Sequence, residues 1–84
     1  MEALLTILED LGTAEFKTFK WYLTQPVLES FPSIPVSRLE NAERTDVVDK
    51  MVQTYNLDGA ARITVAVLKK MNQNSLAFKL ENGI

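Results

Sequence analysis

Thr13 to Leu23 reads T-A-E-F-K-T-F-K-W-Y-L. At about 100° per residue, Phe16, Phe19 and Leu23 fall on one face of a helix. Lys17, Trp21 and Thr24 fall on the other, with Lys20 on the flank between. A surface helix buries one apolar stripe and wets the opposite side. Core packing explains the Phe/Phe/Leu stripe and gives no reason for the cations and the indole behind it.

Upstream, residues 2–11 place Leu4, Ile7, Leu8 and Leu11 on one stripe, with Glu2, Thr6, Glu9 and Asp10 opposite. Glu9 and Asp10 sit at the end of this helix, where the macrodipole disfavours carboxylates. Gly12 is expected to close it as a left-handed C′ residue. Thr13 is expected to cap the next helix, over about 13–25, which stops before Pro26.

Downstream, residues 26–36 hold all three prolines and no helical period, so a long loop is expected. Long loops in small domains are pinned by their own side chains or serve a function. Leu28, Phe31 and Ile34 are the expected pins, and Trp21 is expected to lie as a platform beneath Pro35 or Leu39. Ser37 and Glu40 have capping-box spacing, predicting a short third helix over about 38–42. Thr45 should cap a fourth over about 46–55, with Val47, Val48, Met51, Val52 and Tyr55 inward. Asp46, Asp49, Lys50 and Gln53 form its outer face.

Asn56-Leu57-Asp58-Gly59 predicts a turn before a fifth helix over about 59–71. Residues 60–71 are apolar almost all round, as in a helix buried among neighbours. A last helix over about 73–81 would be capped by Asn72 or Asn74, with Leu76 and Leu80 inward and Phe78 outward. Residues 81–84 are expected to fray. The predicted core therefore includes Leu8, Leu11, Phe16, Phe19, Leu23, Met51, Ile63, Val67 and Leu76. The reading is all-α: a six-helix antiparallel bundle forming a single domain over residues 1–84.

Composition narrows function by elimination. Among 84 residues there is no Cys and no His. Disulfides, thiol nucleophiles, Ser-His-Asp triads and Cys/His zinc sites are thereby excluded. Three scattered glycines form no phosphate-cradling loop. A small helical bundle also rarely encloses a substrate cavity. A non-enzymatic interaction module without cofactor or metal is the expectation. The net charge of −2 and a pI near 5.0 oppose phosphate-dominated binding, which wants a basic domain. A nucleic-acid-binding helical domain is thus the alternative of another class. No run approaches the roughly 18 apolar residues of a membrane span. The first dozen residues lack the features of a signal peptide. With no N-x-[ST] acceptor either, a cytoplasmic location is expected.

Several segments together resemble one family. L-x-x-L-E-D-L-x-x-x-E-F-K-x-F-K-W-x-L (Leu5–Leu23), the loop ending I-P, D-x-x-D-K-M-V (Asp46–Val52) and A-V-L-K-K-M-N are similar to pyrin domains of the death-fold superfamily. Trp21 and N-A-x-R-T-D (Asn41–Asp46) resemble the N-terminal pyrin domains of fish NOD-like receptors, and fish caspases share some of these features.

The resemblance implies homotypic binding to other pyrin domains, recruitment of an inflammasome adaptor in innate immune and inflammatory signalling, and filament formation. An inhibitory pyrin-only decoy is compatible with it. In the family's principal interface an acidic surface on helices one and four meets a basic surface on helices two and three. By position the acidic side is Glu9, Glu43, Asp46 and Asp49 and the basic side is Lys17 and Lys20; Asp10 and Arg38 are further candidate interface residues. Two positions depart from the pattern. The basic residue common after I-P is Val36, and the one common two places after Lys20 is Tyr22. Arg38 is the nearest replacement, so the basic patch is thinner.

Overall fold

The computed structural model describes residues 2–82 and is all-α, with no strand among them. Its helical segments are α1 (Glu2–Glu9), α2 (Thr13–Leu23), α3 (Val36–Leu39), α4 (Arg44–Lys70) and α5 (Asn74–Glu81). That is five, not six. The expected fourth and fifth helices run on as α4, and the four-residue turn contracts to a kink at Asn56 (φ 65°, ψ 172°). That conformation is almost reserved for glycine, so the helix breaks at this one residue under local strain. Gly59, expected in the turn, is helical and buried. A Cβ there would lie 3.0 Å from the Tyr55 Cβ and 3.6 Å from the Phe31 ring, so close approach is what this position requires.

α4 packs against α1, α2 and α5 and forms the centre of the bundle. Leu4, Ile7, Leu8 and Leu11 from the α1 region meet Phe16, Phe19 and Leu23 of α2 and Val47, Met51, Ile63 and Val67 of α4 in one buried cluster. Thr64 is a buried polar residue whose hydroxyl donates to the Ala60 carbonyl at 2.7 Å. From α5 it is Ala77 that is fully buried. Leu76 is only partly covered and packs at the edge of the core. A thin residue at the contact lets the two helices approach, which pushes the larger leucine to the rim.

The caps differ from expectation. Gly12 is extended (φ −71°, ψ 175°) and serves as N-cap of α2, with Thr13 already helical. Pro35, not Ser37, precedes α3, and its carbonyl accepts the Arg38 N–H at 3.0 Å. Glu43 rather than Thr45 is the N-cap of α4, and its N–H donates to Asp46 Oδ2 at 3.2 Å. Asn72 closes α4 with φ 63°. The Gln73 N–H reaches Leu68 O at 2.8 Å and the Asn72 N–H reaches Lys69 O at 3.1 Å, a Schellman closure. Expectations for residues 83 and 84 lie outside the described residues.

The long loop is pinned. Ile34 is buried and its N–H donates to Leu23 O at 2.9 Å, tying the loop to the end of α2. Phe31 stacks on Tyr55 with ring centroids 5.5 Å apart, and the Tyr55 hydroxyl donates to Pro32 O at 2.6 Å. Leu28 is partly buried against the same cluster.

Candidate functional site

Two surfaces carry the residues of interest, and one side chain places each of them. On α2, Phe16, Phe19 and Leu23 turn inward. That leaves Lys17 exposed one turn before Trp21. Lys20 is half-buried: its Nζ donates to Ala42 O at 3.0 Å and lies 4.9 Å from the Phe16 ring centroid. It therefore braces α2 against the chain leaving α3. Arg38 is exposed in the last turn of α3.

Trp21 is not the buried platform expected. It is 56% exposed, and its ring meets Tyr22 edge-on at 5.0 Å between centroids. Ile34 takes the buried site at the end of α2, which leaves Pro35 and Val36 on the outside and nothing to cover the indole. Trp21, Phe16, Leu39, Val36 and Lys17 instead line an open groove of about 380 Å³ between α2 and α3.

The opposite surface is built by Arg44. Its Nε donates to Leu8 O at 2.8 Å and its terminal nitrogen to Leu11 O at 2.7 Å. Carbonyls at a helix end lack intrahelical partners; a cation from α4 here donates to Leu11 O and adds a second donor to Leu8 O, which also accepts the Leu11 N–H at 3.1 Å. A positive charge there also offsets the unfavourable placing of Glu9 and Asp10. The latch brings the end of α1 to the start of α4, and Glu9, Glu43, Asp46 and Asp49 are all exposed there. Asp10 has a different employment: it pairs with Lys79 of α5 at 3.4 Å. The second ion pair among the described residues is Lys69–Glu81. Lys17, Arg38, Glu9, Glu43, Asp46 and Asp49 are in neither.

Sequence reasoning passed over two contributors here. Arg44 contacts carbonyls 33 and 36 residues away, which no local pattern displays. Glu2 joins Asp49 on the rim of a shallow hollow of about 120 Å³ lined by Leu5, Val48 and Thr45. The exposed position of Glu2 on α1 was the available signal. No cluster of carboxylates suited to a metal occurs among the described residues. No helix among them is long and apolar enough to cross a membrane.

The model of the PAAD/DAPIN/Pyrin domain family matches residues 3–77. The chain belongs to the pyrin domain family. Pyrin domains are homotypic death-fold interaction modules of inflammasome proteins in innate immunity. Caspase b of Danio rerio is 43% identical over 83 residues, covering 99% of this chain and 20% of that protein. Pyrin domain-containing protein 1 of Homo sapiens is 41% identical over 83 residues, covering 98% of this chain and 93% of that protein. The solution structure of the pyrin domain of human Pyrin superposes with a TM-score of 0.83 at 30% identity, over 96% of this chain and 91% of that one. The chain thus spans a fifth of caspase b and nearly all of the pyrin domain-containing protein.

Proposed function

We propose that this pyrin domain recruits an inflammasome adaptor, itself a pyrin-domain protein, through charge-complementary surfaces in the cytoplasm. Glu9, Glu43, Asp46 and Asp49 of the α1–α4 face receive Lys17, Arg38 and the flank of Lys20 from the α2–α3 face of another pyrin domain. The observation that carries this reading is the placing of two charged groups outside the internal ion pairs. Glu9, Glu43, Asp46 and Asp49 are exposed together where α1 meets α4, and Lys17 and Arg38 are exposed on α2 and α3, a face that also carries Glu15 and Glu40.

Two different faces meeting head to tail make a contact that need not close, so the same chemistry extends into a filament. Each exposed pair contributes only about 0–1 kcal/mol. Repetition along the assembly supplies the cooperativity that one pair lacks. The acidic domain has no use for nucleic-acid phosphates, which would repel the larger of its two charged faces.

Lys17→Glu tests the assignment. The variant is expected to melt like the wild type and to lose pyrin–pyrin association, followed by light scattering and negative-stain microscopy across salt concentrations. Association at the wild-type level would remove Lys17 from the interface and the reading with it.

A further inference from the structure

The α2–α3 face holds more than charge. Trp21 and Val36 are 56% and 58% exposed, and they stand on either side of the groove between the two helices. The core does not account for them: the pins of the loop are Ile34 and Phe31, and the indole meets the edge of Tyr22 at the mouth of the groove. Aromatic side chains that stand in solvent beside cations have the make-up of a binding hot spot.

The opposite face offers a matching shape. Leu5 is half-buried and Val48 buried, and together they floor the shallow hollow between α1 and α4. Its rim carries the carboxylates of Glu2 and Asp49. A hollow with an apolar floor and an acidic rim complements an indole one helical turn from a lysine. The indole N–H is a donor, and the rim supplies acceptors for it as well as a counter-charge for Lys17.

We propose that Trp21 of one copy of this chain seats in the Glu2–Leu5–Val48–Asp49 hollow of a second copy, and that this apolar knob carries most of the affinity of the contact. The inference rests on the head-to-tail reading above and adds its energetic centre. It makes a different forecast about salt. An interface held by exposed charge pairs weakens steeply as salt rises. One centred on a buried indole persists.

The chain contains one tryptophan, so its own fluorescence reports the event. In a concentration series of the wild type, emission is expected to shift to the blue in step with light scattering. Trp21→Ala is expected to keep the far-UV spectrum and melting temperature and to weaken association about thirtyfold or more, the scale of a hot-spot aromatic. A double variant, Glu2→Lys with Asp49→Lys, spoils the hollow and keeps the knob. Each variant alone should fail to extend, whereas a mixture of the two should give a one-to-one heterodimer that stops there.

Assembly without a change in tryptophan emission would overturn the proposal. So would wild-type assembly by Trp21→Ala, or a mixture that forms no heterodimer. If those results accompany loss of association in Lys17→Glu, the charge-based reading survives and only the knob fails. If the wild type binds a different pyrin domain through Lys17 but never itself, the second copy is the wrong occupant.

Discussion

The guanidinium of Arg44 lies over the ring of Phe16, 4.6 Å from its centroid. Lys20 approaches the same ring at 4.9 Å, and Arg44 also donates to Leu8 O and Leu11 O. One aromatic on α2 is therefore the meeting point of α1, α2 and α4. Charged donors on backbone carbonyls are worth more than neutral ones. Arg44→Ala should cost roughly 3 kcal/mol, removing a charged donor from both Leu11 O and Leu8 O, the latter keeping the Leu11 N–H, and leaving Phe16 with one cation fewer. The melting temperature should fall by more than about 10 °C. Arg44→Lys should recover less than half, because an ammonium cannot fork between two carbonyls. Thermal melts of the two variants decide it; a lysine variant as stable as the wild type would show that charge alone suffices.

The two lysines of α2 should separate in the same measurement. Lys20 is engaged with Ala42 O and the Phe16 ring, whereas Lys17 is exposed. Lys20→Ala should lower stability by about 1 kcal/mol. Lys17→Ala should stay within about 0.5 kcal/mol of the wild type. Equal melting temperatures would mean that the Lys20 brace is not formed in solution.

The contrast between these residues also marks how far local pattern reaches. The inward face of α2 and the loop rich in proline were legible because helical period and proline chemistry act over a few residues. Periodicity also placed Trp21 opposite the core. It could not say what covers that face: Ile34 pins the loop to the end of α2 as its apolar side chain suggested, and Trp21, expected beneath Pro35 or Leu39, stands more than half exposed on the groove it shares with Leu39. Asp10 looked like its neighbour Glu9 until the fold brought Lys79 to it from 69 residues away. The Arg44 latch is invisible for the same reason. What sequence alone misses here is the partner supplied by a distant element, together with caps that move one or two residues once that partner is in place.

Asn56 offers a test of the kink. Its φ of 65° and ψ of 172° fall where glycine is nearly the sole ordinary occupant, at a cost of about 1–3 kcal/mol for other residues. Asn56→Gly should relieve that strain, less about 0.5–1 kcal/mol for the freer unfolded chain. The net gain is about 1 kcal/mol, raising the melting temperature by roughly 4–8 °C. Asn56→Ala should lower it, since a Cβ is retained and the polar side chain that tolerates positive φ is lost. If the glycine variant melts no higher than the wild type, the kink is not strained.

Tyr55 links the long loop to α4 and makes that link sensitive to alkali. Its hydroxyl donates to Pro32 O at 2.6 Å, and burial raises its pKa above the ordinary 10.0. Desolvation disfavours the phenolate, so the folded chain holds this proton at pH values where the unfolded chain has released it. The unfolded state then binds fewer protons, and stability falls as pH rises. The contribution is fully present below the unfolded pKa and is lost as pH climbs through the folded one. Tyr55→Phe removes both the hydrogen bond, worth about 1 kcal/mol at neutral pH, and this titration. Urea midpoints of the two proteins, measured from about pH 8 to about pH 11, should differ most at the neutral end and converge in alkali. A gap that stays constant across the range would mean that the Tyr55 hydroxyl keeps its proton no longer in the folded chain than in the unfolded one.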